Sequence, residues 1–106
     1  MSAIASVYAT FSDAAEAERI GRALVEEELA ACVNILAPCR SIYRWKGKVE
    51  VAEEVAAIFK VAADRADALI ARLGELHSYE VPAAVTWPIT KSNPSYCAWV
   101  LENSGG

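Results

Sequence analysis

The sequence predicts an α+β domain, because short apolar stretches alternate with amphipathic ones along the chain. One segment, Val49 to Ala62, fits either a helix or a strand. If it is a strand, the order becomes β-α-β-β-α-β, the split βαβ or ferredoxin-like sandwich, with a long β-hairpin and a short C-terminal helix. The strands are apolar on both faces, so two helices would cover only half of the sheet.

The first strand and helix have clear boundaries in the sequence. Ile4 to Phe11 is apolar enough for a strand covered on both faces. Asp13 follows, with Glu16 three residues later, which is the signature of a helix N-cap. The helix should run to about Ala30. Gly21 lies inside it and costs about 1 kcal/mol relative to alanine, so we expect another element to pack closely there.

The middle of the chain predicts a long strand followed by the ambiguous segment. Cys32 to Trp45 reads as a strand with a bulge near Pro38, since proline donates no ladder hydrogen bond. Lys46-Gly47-Lys48 is a candidate turn. Beyond it, Val51, Val55, Ile58 and Ala62 follow a helical period, whereas Val55, Ala57, Phe59 and Val61 alternate as in a strand. Periodicity alone leaves both alternatives open.

The last third predicts one helix, one strand and one short helix. Asp64 begins an amphipathic helix that ends near His77, and Ala83 to Ile89 forms the final core strand. Tyr96, Trp99 and Val100 indicate a short C-terminal helix before a polar tail, residues 103–106, that we expect to be disordered. Residues 1–106 are the size of one domain.

Composition excludes several functional classes. Ten basic and fourteen acidic residues give a net charge of −4, which argues against nucleic-acid binding. No apolar run reaches the roughly 18 residues of a membrane span, and the N-terminal segment lacks the basic region of a signal peptide. Cys32, Cys39 and Cys97 form no Cys-x-x-Cys pair, which favours reduced, packed thiols in a cytoplasmic protein.

The segment Leu76 to Pro82 carries the only histidine of the chain, His77, beside Tyr79 and Glu80. Imidazole serves as a metal ligand, a proton carrier or a pH sensor. It also favours the C-terminal end of a helix, so His77 could simply cap the preceding one. No set of nucleophile, base and orienting group is recognisable, so we do not expect an enzyme.

Lys60 raises a second question about charge. It shares a strand face with Ala56 and Ile58 if the ambiguous segment is a strand, and a buried ammonium needs an opposite charge. That charge could come from Glu50, Glu54 or Glu80, or from an anionic ligand. The excess of apolar strand surface also predicts self-association.

The assembled motifs resemble those of the CutA family, small divalent-cation-tolerance proteins related in architecture to PII signal transducers. The resemblance runs from about Val7 to Glu102. It rests on Leu-Ala-Ala-Cys-Val-Asn-Ile at 29–35, Ser-Ile-Tyr-Arg-Trp-Lys-Gly-Lys at 41–48, Phe59-Lys60, Leu-His-Ser-Tyr-Glu-Val-Pro at 76–82, Tyr96 and Trp99.

The resemblance implies that the ambiguous segment is a strand and that the protein is a tight homotrimer. It implies a role in tolerance of copper and other divalent metals, with no enzymatic activity and no required cofactor. His77 is the metal candidate, with Glu80 and Cys32 as weaker ones and copper(II) or another divalent ion as the ligand. Ala9 and Leu76 stand where some relatives have metal ligands.

Two further expectations follow from the resemblance. Ser78 replaces a proline of the family loop, which should loosen this loop because serine does not fix φ. The alternative function is that of a PII-like signalling trimer that holds a small anionic ligand in a cleft between subunits. The candidate cleft residues are Lys60, Tyr43, Trp45, Tyr79, Glu80 and Trp99.

Overall fold

A computed structural model describes residues 2–105 and confirms the predicted fold class. The strands are β1 (Ile4–Phe11), β2 (Cys32–Trp45), β3 (Lys48–Ala62) and β4 (Ala84–Ile89). The helices are α1 (Ala14–Glu26), α2 (Ala66–Leu76) and α3 (Pro94–Asn103), and a 3₁₀ turn, Ala63–Arg65, precedes α2. The ambiguous segment is therefore a strand, and the order is βαββαβ followed by a short helix.

The four strands form one antiparallel sheet in the order β2-β3-β1-β4. Trp45 pairs with Lys48, so only Lys46 and Gly47 make the turn between β2 and β3. Both have positive φ, 50° and 82°, as a two-residue type I′ turn requires. The register shifts between Ile35 and Pro38, which confirms the predicted bulge. The hairpin gives the molecule its long axis, 44 Å against 25 and 23 Å.

The helices α1 and α2 cover one face of the sheet and form the main core. The fully buried side chains there include Val7, Ala9 and Phe11 from β1, Phe59 and Val61 from β3, Ile20 and Leu24 from α1, and Leu69 and Leu73 from α2. Gly21 lies at the crossing of α1 and β2, where an added Cβ would come within 3.1 Å of Val33 Cγ1. The close packing expected at Gly21 is confirmed.

The helix α3 covers one end of the opposite face. Ile4, Ala31 and Val100 form a small second core there. Ser104, directly after α3, is fully buried; its Oγ accepts the backbone N–H of Ala62 and donates to the carbonyl of Val100. The expectation of a disordered tail is therefore wrong for Ser104, because this hydroxyl pairs with a strand. Gly106 lies outside the described residues.

A large apolar surface stays exposed at the far end of the hairpin and on the edge strand β4. On the hairpin, Ile42 is 69% exposed, Val49 62% and Val51 60%. On β4, Val85 and Trp87 are also exposed. Several exposed apolar side chains on one element are typical of an interface, so the prediction of self-association keeps its physical basis.

Candidate functional site

His77 lies directly after α2, and its side chain is fully buried. Its Nε2 is 2.8 Å from the carbonyl oxygen of Thr10, and its Nδ1 is 3.1 Å from the backbone nitrogen of Tyr79. A carbonyl only accepts and an amide N–H only donates, so both bonds require a neutral ring protonated at Nε2. His77 occupies the C-cap position of α2, as predicted, but its imidazole ties the following loop to β1 instead of meeting helix carbonyls.

Glu16 holds the same loop from the start of α1. Its carboxylate is almost fully buried and accepts the N–H and Oγ–H of Ser12 and the N–H of Ser78, each at 3.0 Å. Asp13 caps the helix through the N–H of Glu16 at 2.8 Å, as predicted. Burial acts to raise the pKa of Glu16, but the hydrogen bonds from Ser78 and Ser12 together lower it from 4.5 to about 2.

The hydrogen bond from the Ser78 N–H to Glu16 bears on the expected looseness of this loop. Serine in place of proline was expected to loosen the loop. Its backbone N–H instead donates to Glu16, which a proline could not do. The substitution therefore adds a buried, charge-assisted contact at this position.

Within residues 2–105 of one chain, the candidate metal ligands do not lie together. Among residues 2–105, no three His, Cys, Asp or Glu side chains come together as a potential metal site. Both ring nitrogens of His77 already have partners, so coordination would break one of these hydrogen bonds. The sulfur of Cys32 lies 3.4 Å from the Tyr96 hydroxyl, and Glu80 is exposed. A metal role for these three residues stays a prediction.

A cavity of about 360 Å³ opens where the loop after His77 meets the base of the hairpin. Its walls include Tyr43, Trp45, Glu54, Tyr79, Glu80 and Val81. The Tyr79 hydroxyl donates to Glu54 Oε2 at 2.6 Å. Burial raises the pKa of Tyr79 most, and this hydrogen bond raises it further. Tyr79 therefore stays a protonated donor at neutral pH.

Four of the six predicted cleft residues meet at this cavity, and two lie elsewhere in the chain. Lys60 is six residues along β3 from Glu54, roughly 20 Å at the rise of a strand. Its Nζ donates to Asn34 Oδ1 at 3.3 Å, and within residues 2–105 it forms no salt bridge. Of the two alternatives left open for Lys60, the ion pair with a glutamate is not formed among residues 2–105 of one chain. Trp99 lies on α3, stacked on Tyr96.

Sequence reasoning did not place Glu54 and Val81 in this cavity. Glu54 was considered only as a partner for Lys60, because its contact with Tyr79 depends on how the loop after α2 packs against β3. Within the sheet, Glu54 pairs with Cys39 of β2. A count of alternating residues along β3 could have placed Glu54 on the same face as Lys60, but not beside Tyr79.

The geometry can now be compared with known proteins. A sequence model of the family described as CutA1 divalent ion tolerance protein matches residues 5–103. The divalent-cation tolerance protein CutA of Thermus thermophilus is 44% identical over 89 residues, which are 84% of this chain and 86% of that protein. This chain belongs to the CutA1 family. That finding confirms the resemblance seen in its motifs.

Solved structures agree with the assignment. The crystal structure of CutA from Xylella fastidiosa superposes with a TM-score of 0.94 at 37% identity, covering 97% of this chain and 99% of that one. A structure from Archaeoglobus fulgidus, with a TM-score of 0.92 at 35% identity, covers 95% of this chain and 98% of that one. It is named a periplasmic divalent cation tolerance protein.

The animal relatives are longer than this chain. The CutA homolog of Xenopus laevis is 39% identical over 92% of this chain, which spans 64% of that protein's length. Within residues 2–105, none of the helices is both long and apolar enough to cross a bilayer.

Proposed function

We propose that this CutA1 family member acts in divalent-cation tolerance as a cytosolic homotrimer. In this proposal it is not an enzyme, and its metal ligands come from more than one subunit. The observation that carries the proposal is the exposed apolar surface of the hairpin. Ile42 and Val51 are cross-strand partners, so their side chains share one face of the ribbon, with Val49 two residues from Val51. A second copy packed on this face would bury it.

Two observations support the remaining parts of the proposal. The three cysteines are free thiols, which fits a reducing compartment such as the cytosol. The imidazole of His77 has both nitrogens engaged, so in this arrangement it has no free nitrogen to act as a base. Ligands shared between subunits would reconcile a metal role with the absence of a potential metal site among residues 2–105 of one chain.

The assembly is tested by light scattering on size-exclusion fractions over a dilution series. We expect a mass three times that of the chain, and a shift toward the single-chain mass on dilution for Ile42→Glu, because the carboxylate would be buried unpaired. Tyr43→Ala and Trp45→Ala should weaken assembly by removing aromatic surface. A matched change on an exposed helix position, Ala15→Glu, should leave the mass unchanged. An unaltered trimer for all three hairpin variants at low concentration would contradict the proposal.

Metal binding is tested by titrating copper(II) and zinc(II) into the reduced protein. Ligands shared at the three pairwise interfaces of a trimer give one ion per chain at saturation, and ligands on its three-fold axis give one ion per trimer. In either case we expect binding to be lost together with assembly in Ile42→Glu. His77→Ala and Cys32→Ala report whether either candidate contributes. Binding that persists in the dissociated Ile42→Glu chain and is lost only when His77→Ala is added would contradict shared ligands and place the site at His77. Absence of saturable binding would contradict the metal part of the proposal and leave the trimer unaffected.

A second candidate function is the binding of a small ligand, as in a PII-like trimer. The cavity beside Tyr79 favours it, because its 360 Å³ falls within the range of small-molecule sites. The residues that this chain contributes to the cavity do not favour an anionic ligand. The cavity lining includes Glu54 and Glu80 and none of its described residues is Lys, Arg or His.

A further inference from the structure

The charges of the cavity beside Tyr79 are one-sided. Two carboxylates, Glu54 and Glu80, line it without a basic side chain among the described lining residues. Tyr79 occupies Glu54 Oε2 as a hydrogen-bond donor, which leaves Oε1 available to a ligand. The net charge of the chain, −4, has the same sign. A cation would therefore enter this cavity more favourably than an anion or a neutral molecule of the same shape.

The remaining walls are aromatic and aliphatic. Tyr43, Trp45 and Tyr79 contribute aromatic rings, and Val81 and Ala83 contribute apolar surface. Lys46 Nζ lies 5.6 Å from the ring centroid of Trp45, so a ligand cation would displace this ammonium or use the other face of the indole. Aromatic faces attract organic cations most strongly where water is partly excluded. A fully hydrated metal ion would gain little from these walls.

We propose that the cavity lined by Tyr43, Trp45, Glu54, Tyr79 and Glu80 binds a small organic cation, an ammonium group that carries apolar substituents. The proposal rests on the function of this cavity as a small-ligand site and adds the chemical class of the ligand. The carboxylates would neutralise the charge, and the aromatic rings would pack against the substituents.

The test compares choline with its neutral isostere, 3,3-dimethylbutan-1-ol, by calorimetric titration into the full-length protein in its native assembly. We expect choline to bind at least about tenfold more tightly, because only choline carries the charge. Labelling with 5-fluorotryptophan gives one ¹⁹F resonance for each of the three tryptophans, and Trp45→Phe identifies that of Trp45. Choline should shift this resonance and leave those of Trp87 and Trp99 in place.

The carboxylates are tested by isosteric changes. Glu54→Gln combined with Glu80→Gln should weaken choline binding about tenfold, while the matched control Glu18→Gln, on an exposed face of α1, should leave it unchanged. Equal binding of choline and the isostere would overturn the cation proposal and leave the small-ligand function standing. No heat and no ¹⁹F shift with either compound up to about 50 mM, far above the ~1 mM of weak complexes, would overturn both. A shift at Trp87 or Trp99 alone would overturn the location.

Discussion

The carboxylate of Glu16, at the start of the first helix, accepts the backbone N–H of Ser78 at 3.0 Å across 62 residues of sequence. The same carboxylate accepts hydrogen bonds from the N–H and the hydroxyl of Ser12. One buried charge therefore connects the start of the first helix to the loop that carries Tyr79 and Glu80. The shape of the cavity beside Tyr79 therefore depends on a residue that does not line it.

Glu16→Gln should destabilise the protein by about 1.5–3 kcal/mol, because hydrogen bonds to a buried carboxylate are stronger than those to an amide. Urea unfolding followed by circular dichroism, at one fixed protein concentration, measures this. Glu18→Gln, which is exposed on the same helix, should stay within about 0.5 kcal/mol of the unchanged protein. Equal stabilities of the two variants would show that the buried charge contributes nothing.

Glu16 should also make stability depend on acid pH. Its pKa falls from 4.5 to about 2 on folding, so the unfolded chain binds the proton more tightly than the folded one. Its contribution is therefore complete well above pH 4.5 and is lost as the pH falls through 4.5 toward 2, by about 3 kcal/mol in total. Urea midpoints between pH 6 and pH 2 should fall less steeply in Glu16→Gln. Parallel profiles would refute this assignment.

The glycines Gly21 and Gly74 form a matched pair for helix packing. A Cβ at Gly21 would meet Val33 Cγ1 at 3.1 Å, whereas a Cβ at Gly74 would have no atom within 4 Å. Gly74→Ala should therefore stabilise the protein by about 0.5–1 kcal/mol through helix propensity. Gly21→Ala should destabilise it by about 1 kcal/mol, since overpacking exceeds that gain. Thermal unfolding of both variants would decide, and a gain at Gly21 equal to that at Gly74 would contradict the close packing.

Ser104→Ala should cost about 1–3 kcal/mol, because the N–H of Ala62 would lose its partner inside the protein. Hydrogen exchange at the Ala62 amide should accelerate as well. Ser92→Ala, an exposed hydroxyl in the loop before α3, is the control and should change neither quantity. Unchanged exchange at Ala62 in Ser104→Ala would mean that the C-terminal residues do not anchor the strand.

The sequence was sufficient for the order of the other elements, because apolar strand patterns, the Asp13 cap and the Gly47 turn are local signals. It was insufficient for Val49 to Ala62, whose alanines and glutamates fit both periods and whose strand state depends on pairing with β1 and β2. The partners of Lys60 and Glu54 were missed for a related reason. The contact of Lys60 with Asn34 depends on the β2–β3 register, which a bulge between Ile35 and Pro38 shifts. The contact of Glu54 with Tyr79 depends on how the loop after α2 packs on the sheet.

The burial of His77 also makes it a natural chemical reporter. A histidine-directed reagent such as diethyl pyrocarbonate needs a free ring nitrogen, and in the folded chain both are hydrogen-bonded and the side chain is inaccessible. Because this is the only histidine of the chain, its modification would follow a single event, the detachment of the loop from the first strand. The rate of acylation would therefore measure how often the wall formed by Tyr79 and Glu80 opens.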